Sequence, residues 1–287
     1  MSLEILYIAR HGFRTTWSVN AATGEYSSAF PSPTGIPSDP ALTSHGVEQS
    51  LELADRLGSI EPPIEAVFSS PWYRCLQTIS PFVSGHGHKD GQARPSGQTV
   101  ILGEYGLCEW YGAAPFVQPS PATPTVMKSH FPALDLPSLE ASAVRKPKAT
   151  GEFPDELYER VRAGLCAVVD YCDARQIRAA VLCSHAASVI VMGRVLTGDI
   201  PEDISREDFH AYTCGLSTYR RRPQQPSTDG NDTLDLQTAP GRSLWTCEAD
   251  MDCSHLSGGE ERGWLFSGDE VFEGAVKQQD DSTRSRL

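Results

Sequence analysis

The 287-residue sequence contains no run of eighteen apolar residues, so it offers no helix able to cross a bilayer. No Cys-x-x-Cys pair occurs either. Its eight cysteines, Cys75, Cys108, Cys166, Cys172, Cys183, Cys214, Cys247 and Cys253, are scattered, which fits reduced thiols in a large protein better than a disulfide framework. Cys247, Cys253 and His255 are ligand types that zinc accepts, but their spacing matches no standard zinc pattern. Packed or loop roles are expected for them, and no metal or cofactor is expected. Cations are scarce: 24 Lys and Arg stand against 37 Asp and Glu, a formal net charge of −13. Without a clustered cationic face, direct nucleic-acid binding is not expected. The chain opens on an apolar run rather than on a basic segment followed by an apolar one, which predicts a soluble protein of the cytoplasm or nucleus with no membrane partner. The glycine-rich stretch SGGEERG (Ser257 to Gly263) lacks the preceding strand and the lysine of a phosphate-cradling loop.

What is present is alternation. LEILYIA (Leu3 to Ala9) reads as a strand buried on both faces. The Gly-, Pro- and Ser-rich stretch from Asn20 to Thr43 reads as a loop. Val47, Leu51, Ala54 and Leu57 then recur at helical spacing, with Thr43 placed to cap. IEAVFSS (Ile64 to Ser70) repeats the strand, and the following helix has Pro71 in its predicted first turn. TVILG (Thr99 to Gly103) is a third strand, leading into LCEWYG. Residues 113–150, rich in Pro, Ala and Ser, are too long for an ordinary connection and predict an insertion or lid.

Leu157, Val161, Leu165, Val168 and Cys172 form the apolar face of a strong helix with an acidic first turn. AAVLC is the last clear strand, SH its turn, and AASVIVMGRVLTG a helix closing on Gly198. LSTYRR and SLWTCEA read as edge strands joined by a loose polar loop. Trp264, Leu265 and Phe266 predict that the segment within residues 247–270 packs back, either closing the site or joining two copies in a homodimer. The final stretch reads as disordered. Strands alternating with helices predict an α/β fold with a mainly parallel sheet, one domain over residues 1–275 and a disordered tail over 276–287.

In such a sheet, ligands sit beyond the carboxyl ends of the strands. The first end supplies Arg10, His11 and Arg14; the second Ser69, Ser70 and Arg74; the third leads to Glu109; the last supplies His185. Three arginines at one edge repel unless an anion sits among them, and guanidinium groups suit phosphate. A neutral imidazole can attack phosphorus, and a nearby carboxylic acid can protonate the leaving oxygen.

These motifs in order, RHG, LTSHGVEQS, SSPWYRCLQT, the glutamate of LCEW and SHAAS, resemble the histidine phosphatase superfamily, also called phosphoglycerate mutase-like. The resemblance spans roughly Leu3 to Leu196. It implies a three-layer sandwich, with His11 as the nucleophile that carries a phosphohistidine. It further implies Arg10, Arg74 and His185 as phosphoryl ligands, with Glu109 as acid and then base. RHGFR, LCEW and SHAAS look closest to the branch holding the suppressor of T-cell receptor signalling phosphatases and the tau subunit of an RNA polymerase III transcription factor. There Arg14 would be a fourth phosphate ligand.

Phe13 and Arg14 stand where mutases of the family usually carry a glutamate and a small hydroxyl residue, which favours hydrolysis over transfer. Thr16 in place of a proline, and HAAS in place of a late HD, separate the chain from the secreted acid phosphatases. The expected activity is metal-independent hydrolysis of a small-molecule phosphate ester or a phosphoprotein. A mutase-type transferase and a non-catalytic subunit of a transcription complex remain the alternatives. Trp17, Tyr26, Phe30, Trp110, Tyr111 and Phe116 are aromatics in the segments that start at the site. Of these, Trp17, Trp110 and Tyr111 are the candidate pocket for an aromatic or hydrophobic substrate.

Overall fold

The computed structural model describes residues 2–87, 99–222 and 245–277. Five strands are parallel: β1 (Ile5–Arg10), β4 (Ala66–Ser69), β5 (Ile101–Gly103), β6 (Leu134–Asp135) and β7 (Ala179–Ser184). Two more, β8 (Leu216–Arg221) and β9 (Trp245–Asp252), run antiparallel, giving the order β6-β5-β4-β7-β1-β8-β9. Every residue of β1 and β7 is buried, which is why both read as unbroken apolar runs.

Alternate residues of these central strands feed two cores. Ile5, Tyr7, Ala9, Val181 and Cys183 face α1 (Ser44–Gly58) and α2 (Tyr73–Ser84), whose Leu53, Leu57, Leu76, Ile79 and Phe82 fill one layer. Leu6, Ile8, Ala180 and Leu182 face α5 (Pro154–Ala174) and α6 (Ala186–Thr197), with Leu157, Val161, Leu165 and Ile190. Burying each of the leucine, isoleucine, valine and phenylalanine side chains among them is worth about 1.5–3 kcal/mol. The result is the three-layer α/β sandwich with a mainly parallel sheet, and α6 ends at a left-handed Gly198 as expected. No helix among the described residues is long and apolar enough to cross a membrane.

Several local expectations need correction. The stretch after Asn20 is not all loop: a hairpin of β2 (Trp17–Asn20) and β3 (Glu25–Ser28) precedes α1, and strands of four mixed residues are too short to show periodicity. The face of α1 is rotated from the predicted stripe, with Val47 37% exposed and Gly46, Gln49, Leu53, Ala54 and Leu57 buried. A polar contact decides that rotation, because buried Gln49 accepts a hydrogen bond from Phe13 N–H at 2.9 Å. Pro71 lies outside α2, whose N-cap is Trp72. LSTYRR is an interior strand, since β9 covers it and is itself the edge. Residues 113–150 hold α3 (Pro124–His130), β6 and α4 (Leu136–Ala141), with the two helices capped by Thr123 and Asp135. The insertion therefore extends the sheet as well as overhanging it. The predicted disordered tail lies outside the described residues from 278 onward.

Candidate active site

The parallel register carries the chemistry to one edge. Arg10 pairs with Ser184 across β1 and β7, and Ser69 of β4 pairs with Cys183 of β7 and Gly103 of β5, so the chain leaves all four neighbouring strands at the same level. His11 N–H donates to Ser184 O and Ser70 N–H to Cys183 O, both at 2.9 Å, which extends the ladder one residue past the strands. The loop after His11 is then fixed by α1. Gly46 approaches it so closely that a Cβ there would lie 2.0 Å from Phe13 O, and one on Gly12 would lie 2.8 Å from Gly46 O. The glycines of RHG and SHG are thus a matched pair that lets a helix terminus press on the loop.

His11 is 1% exposed and its Nδ1 lies 2.9 Å from Gly12 O. Against a carbonyl that nitrogen must donate, which leaves the Nε2 lone pair free. Burial first, then the charges of Arg74 and Arg10, hold the imidazole well below its ordinary pKa, so it is neutral at working pH. His185 caps the start of α6 and is fully buried, its ring centroid 5.4 Å from that of His11. Its Nε2 is 2.8 Å from Ser70 Oγ, and its Nδ1 is 3.3 Å from Glu109 Oε2.

Arg74, from the first turn of α2, is fully buried and joins two acids: Asp39 Oδ1 at 3.2 Å and Glu109 Oε2 at 2.9 Å. Burial alone would lower its pKa, but Tyr111, Glu109 and Asp39 outweigh that and raise it. Burial also pushes Asp39 up to about 6 against the pull of Arg74. Glu109 is held well below the usual carboxylate range. Its burial, which acts the other way, is overcome by His185 and Arg74. Cys108, beside it, is anchored through its carbonyl by Arg160 at 3.1 Å and Ser188 Oγ at 2.7 Å, so Glu109 projects from a rigid support.

Arg10 donates to Ala211 O at 2.5 Å and to Arg262 O, while Arg14 donates to Thr15 O at 3.0 Å. Burial lowers both to about 10, so both stay charged at neutral pH. The Nε–H groups of Arg10, Arg14 and Arg74 are buried without a hydrogen-bond partner among the described residues. Buried donors left unpaired are costly, and three of them on converging cations describe a receptor for an anion.

His11, Glu109 and His185 offer ligand atoms within 4.8 Å of one another, the His/Cys/Asp/Glu group among the described residues that could hold a metal ion. The three guanidinium groups around them oppose a cation there. Cys247 and Cys253 instead direct their thiols to Ala249 O and Met251 O, and His255 bonds Cys214 O at 3.1 Å.

The aromatic residues divide. Trp17, Tyr26, Trp72 and Tyr111 cluster, with Trp17 and Trp72 ring centroids 5.8 and 5.7 Å from that of Tyr111. Arg14 and Arg74 lie over Trp17 and Trp72, which ties this cluster to the arginines. Trp110 turns the other way: its indole donates to Glu152 O at 2.9 Å and its ring packs on Phe266 in the opposite core, so it does not line the pocket. Phe116 packs on Phe272, and Phe30 is 62% exposed. A cavity of about 250 Å³ opens at Glu109, walled by Trp72, Tyr105, residues 118–124 of the insertion and residues 146–149, so the expected Trp17 and Tyr111 stand behind Trp72 and do not wall it. Sequence reasoning missed Asp39, Gln49 and Trp72. Asp39 is a lone acid in a proline-rich loop, where no periodicity marks a buried position.

Comparison with known proteins agrees with this geometry. The chain matches the histidine phosphatase superfamily (branch 1) over residues 6–231. It is 32% identical over 280 residues to the transcription factor tau 55 kDa subunit of Saccharomyces cerevisiae, covering 93% of this chain and 59% of that protein. It is 26% identical over 196 residues to the ecdysteroid-phosphate phosphatase of Drosophila melanogaster, covering 65% of this chain and 24% of that protein. The chain thus spans a little under two thirds of the first relative and about a quarter of the second. Its fold is similar to that of the ecdysone phosphate phosphatase from Bombyx mori, solved with tungstate, with TM-score 0.55, 19% identity, and coverage of 79% of this chain and 96% of that one. With the family motifs matched across most of the chain and their side chains gathered at one sheet edge, the protein belongs to branch 1 of the histidine phosphatase superfamily.

Proposed function

We propose that this chain is a metal-independent phosphatase that hydrolyses a phosphomonoester through a phosphohistidine on His11. The observation that supports it most is the pairing of a neutral, buried His11, its Nε2 lone pair free, with three arginines whose buried donors lack partners. In the first step the Nε2 lone pair forms the N–P bond as the ester P–O bond breaks, and Glu109 gives a proton to the departing oxygen. In the second, Glu109 takes a proton from water as water attacks phosphorus, and the N–P bond breaks to release phosphate. Arg10, Arg14, Arg74 and His185 hold the phosphoryl oxygens through both steps.

Glu109 is ionised in the free protein, so the proton it donates must arrive with the substrate. A phosphomonoester loses its second proton near pH ~6. The reactive combination is therefore the substrate monoanion with ionised Glu109, and kcat/KM is expected to be level below that pH. Above it, the rate should fall about tenfold per pH unit, because only the monoanion fraction reacts. A profile between pH 4.5 and 9 on an ester with an unactivated leaving group checks this. A rate that stays level to pH 8 would remove Glu109 as the proton carrier.

The cavity at Glu109 is the place for the leaving group, since the acid faces it. Its proline, tryptophan and tyrosine walls suit an aryl or other apolar alcohol. The name of the Drosophila relative, an ecdysteroid-phosphate phosphatase, points to the same class. Phosphate release should favour aryl, prenyl and steroid phosphates over sugar and nucleotide phosphates by at least about tenfold in kcat/KM, a difference of ~1.4 kcal/mol, and EDTA should have no effect. Preference for sugar phosphates, or phosphate that remains organic in the product as for a mutase, would overturn this reading.

The 32% identity with the tau 55 kDa subunit, across 93% of this chain, favours a second reading: a subunit of a transcription complex that keeps an anion pocket. Absence of turnover across that panel, with partner binding unchanged in His11→Ala, would select it.

A further inference from the structure

The segment from Ser257 to Phe266, glycine-rich at its start, lies against the loop that carries Arg10, His11 and Arg14. Glu261 reaches that loop through one intermediary. Its Oε2 accepts from Gln49 Nε2 at 2.7 Å, and Gln49 Oε1 in turn accepts from Phe13 N–H at 2.9 Å. His45 Nε2 lies on the same Glu261 oxygen at 2.5 Å. The next residue, Arg262, presents its backbone carbonyl to Arg10 beside that of Ala211. Its guanidinium lies over the Phe13 ring, 4.2 Å from the centroid.

Arg262 adopts φ +51°, a left-handed conformation that side chains other than glycine rarely take. The surrounding bonds hold it there: Thr213 N–H donates to Glu261 O at 3.1 Å just before it, and Arg10 bonds its own carbonyl. Cys214 N–H donates to Arg10 O at 3.1 Å, so the 211–214 turn grips Arg10 from the other side. A backbone strained at one residue and fixed by contacts to a phosphate-site arginine is placed there by its surroundings.

We propose that residues 257–266 are a strap that positions the phosphate site, with Glu261 as its positioning residue. Through Gln49 it sets the Phe13 N–H and hence the direction of the loop bearing Arg14. Through the carbonyl that follows, it aims the Arg10 guanidinium inward. The strap touches no reacting atom; it acts by holding groups that do. This rests on the phosphate-binding reading of the same site.

The test measures binding of inorganic phosphate by calorimetry to the full chain and to Glu261→Ala, Glu261→Asp and Glu261→Gln, with melting temperatures alongside. Loss of one well-aimed hydrogen bond to a charged group corresponds to roughly ten- to a hundredfold in affinity. Glu261→Ala is expected to weaken phosphate binding about tenfold or more, and so is Glu261→Asp, whose carboxylate is one methylene too short for Gln49. Glu261→Gln keeps an acceptor oxygen and should bind within about threefold of wild type. Glu261 is 30% exposed on its side chain, and the aspartate variant carries the test should the alanine variant not fold. Wild-type affinity in either shortened variant overturns the strap, as does a glutamine variant no better than alanine. Turnover is read separately: phosphate binding without turnover removes the phosphatase reading and leaves the strap. Turnover with unchanged phosphate affinity in Glu261→Ala removes the strap alone.

Discussion

Replacing His11 with alanine is expected to abolish phosphate release, with a loss in kcat on the order of 10⁶, the scale at which a covalent catalyst loses its nucleophile. No other group in the site can take over. His185 meets Ser70 Oγ with Nε2 at 2.8 Å and turns Nδ1 to Glu109 at 3.3 Å, where it donates to oxygen and offers phosphorus no lone pair. The Cys75 thiol, 3.4 Å from His185 Nε2, is pushed well above its ordinary pKa by burial and stays protonated. Acid-labile phosphate labelling of the protein should vanish together with turnover. The fold should survive, because the one side-chain hydrogen bond of His11 among the described residues runs to the neighbouring Gly12 O and joins no distant element. Label or turnover that persists in His11→Ala would end the phosphohistidine mechanism.

How much of this was legible in the sequence depends on what kind of signal each residue leaves. Arg10 and His11 were visible because they interrupt β1, a strand apolar on both faces, at the point where it leaves the core. His185 was visible for the same reason at the end of β7. Gln49 was not. An apolar stripe places Val47 inward, and hydropathy records nothing of the Phe13 N–H that rewards a buried amide instead. Trp110 and Trp72 show another limit: both are aromatic and close to functional residues, yet one packs on Phe266 and the other walls the cavity at Glu109. Side-chain direction is set by tertiary packing, which no local pattern in LCEW encodes. The insertion was opaque for a third reason. Its helices have seven and six residues, too short for an apolar period, and they are marked by their caps Thr123 and Asp135 and by Pro124 and Pro137 in their first turns.

Arg74→Ala is expected to damage stability and activity together, because one buried guanidinium serves both. It compensates Asp39, whose side chain is fully buried, and Glu109, whose side chain is 14% exposed. Removing one partner of a buried ion pair costs about 3–5 kcal/mol through the charge left behind. Relief of repulsion with Arg10 and Arg14 offsets part of that, so about 3 kcal/mol is expected, a drop of roughly 5 °C in Tm for a chain of this length.

The pH dependence has a definite sign. Asp39 already has a folded-state pKa raised from 3.8 to about 6, so its favourable contribution is complete below pH 3.8 and lost as pH rises through 6. Without Arg74 that loss deepens at neutral pH. Glu109 has a depressed folded-state pKa, so its contribution is present above 4.5 and lost on acidification, and Arg74 supplies part of it. Both effects make the gap between wild type and Arg74→Ala largest near pH 7 and smaller near pH 4. Activity should fall by about 10²–10³ in kcat for the loss of one preorganised oxyanion donor. Arg74→Lys should recover little of it, since a single ammonium cannot bridge Asp39, Glu109 and a phosphoryl oxygen in the plane that the guanidinium spans. Thermal melts at pH 4.5 and 7.5 with kcat at each pH check both halves. A stability gap that widens toward acid would mean that Arg74 does not compensate these two carboxylates, and a kcat loss of tenfold or less would place it outside the groups that touch the phosphoryl oxygens.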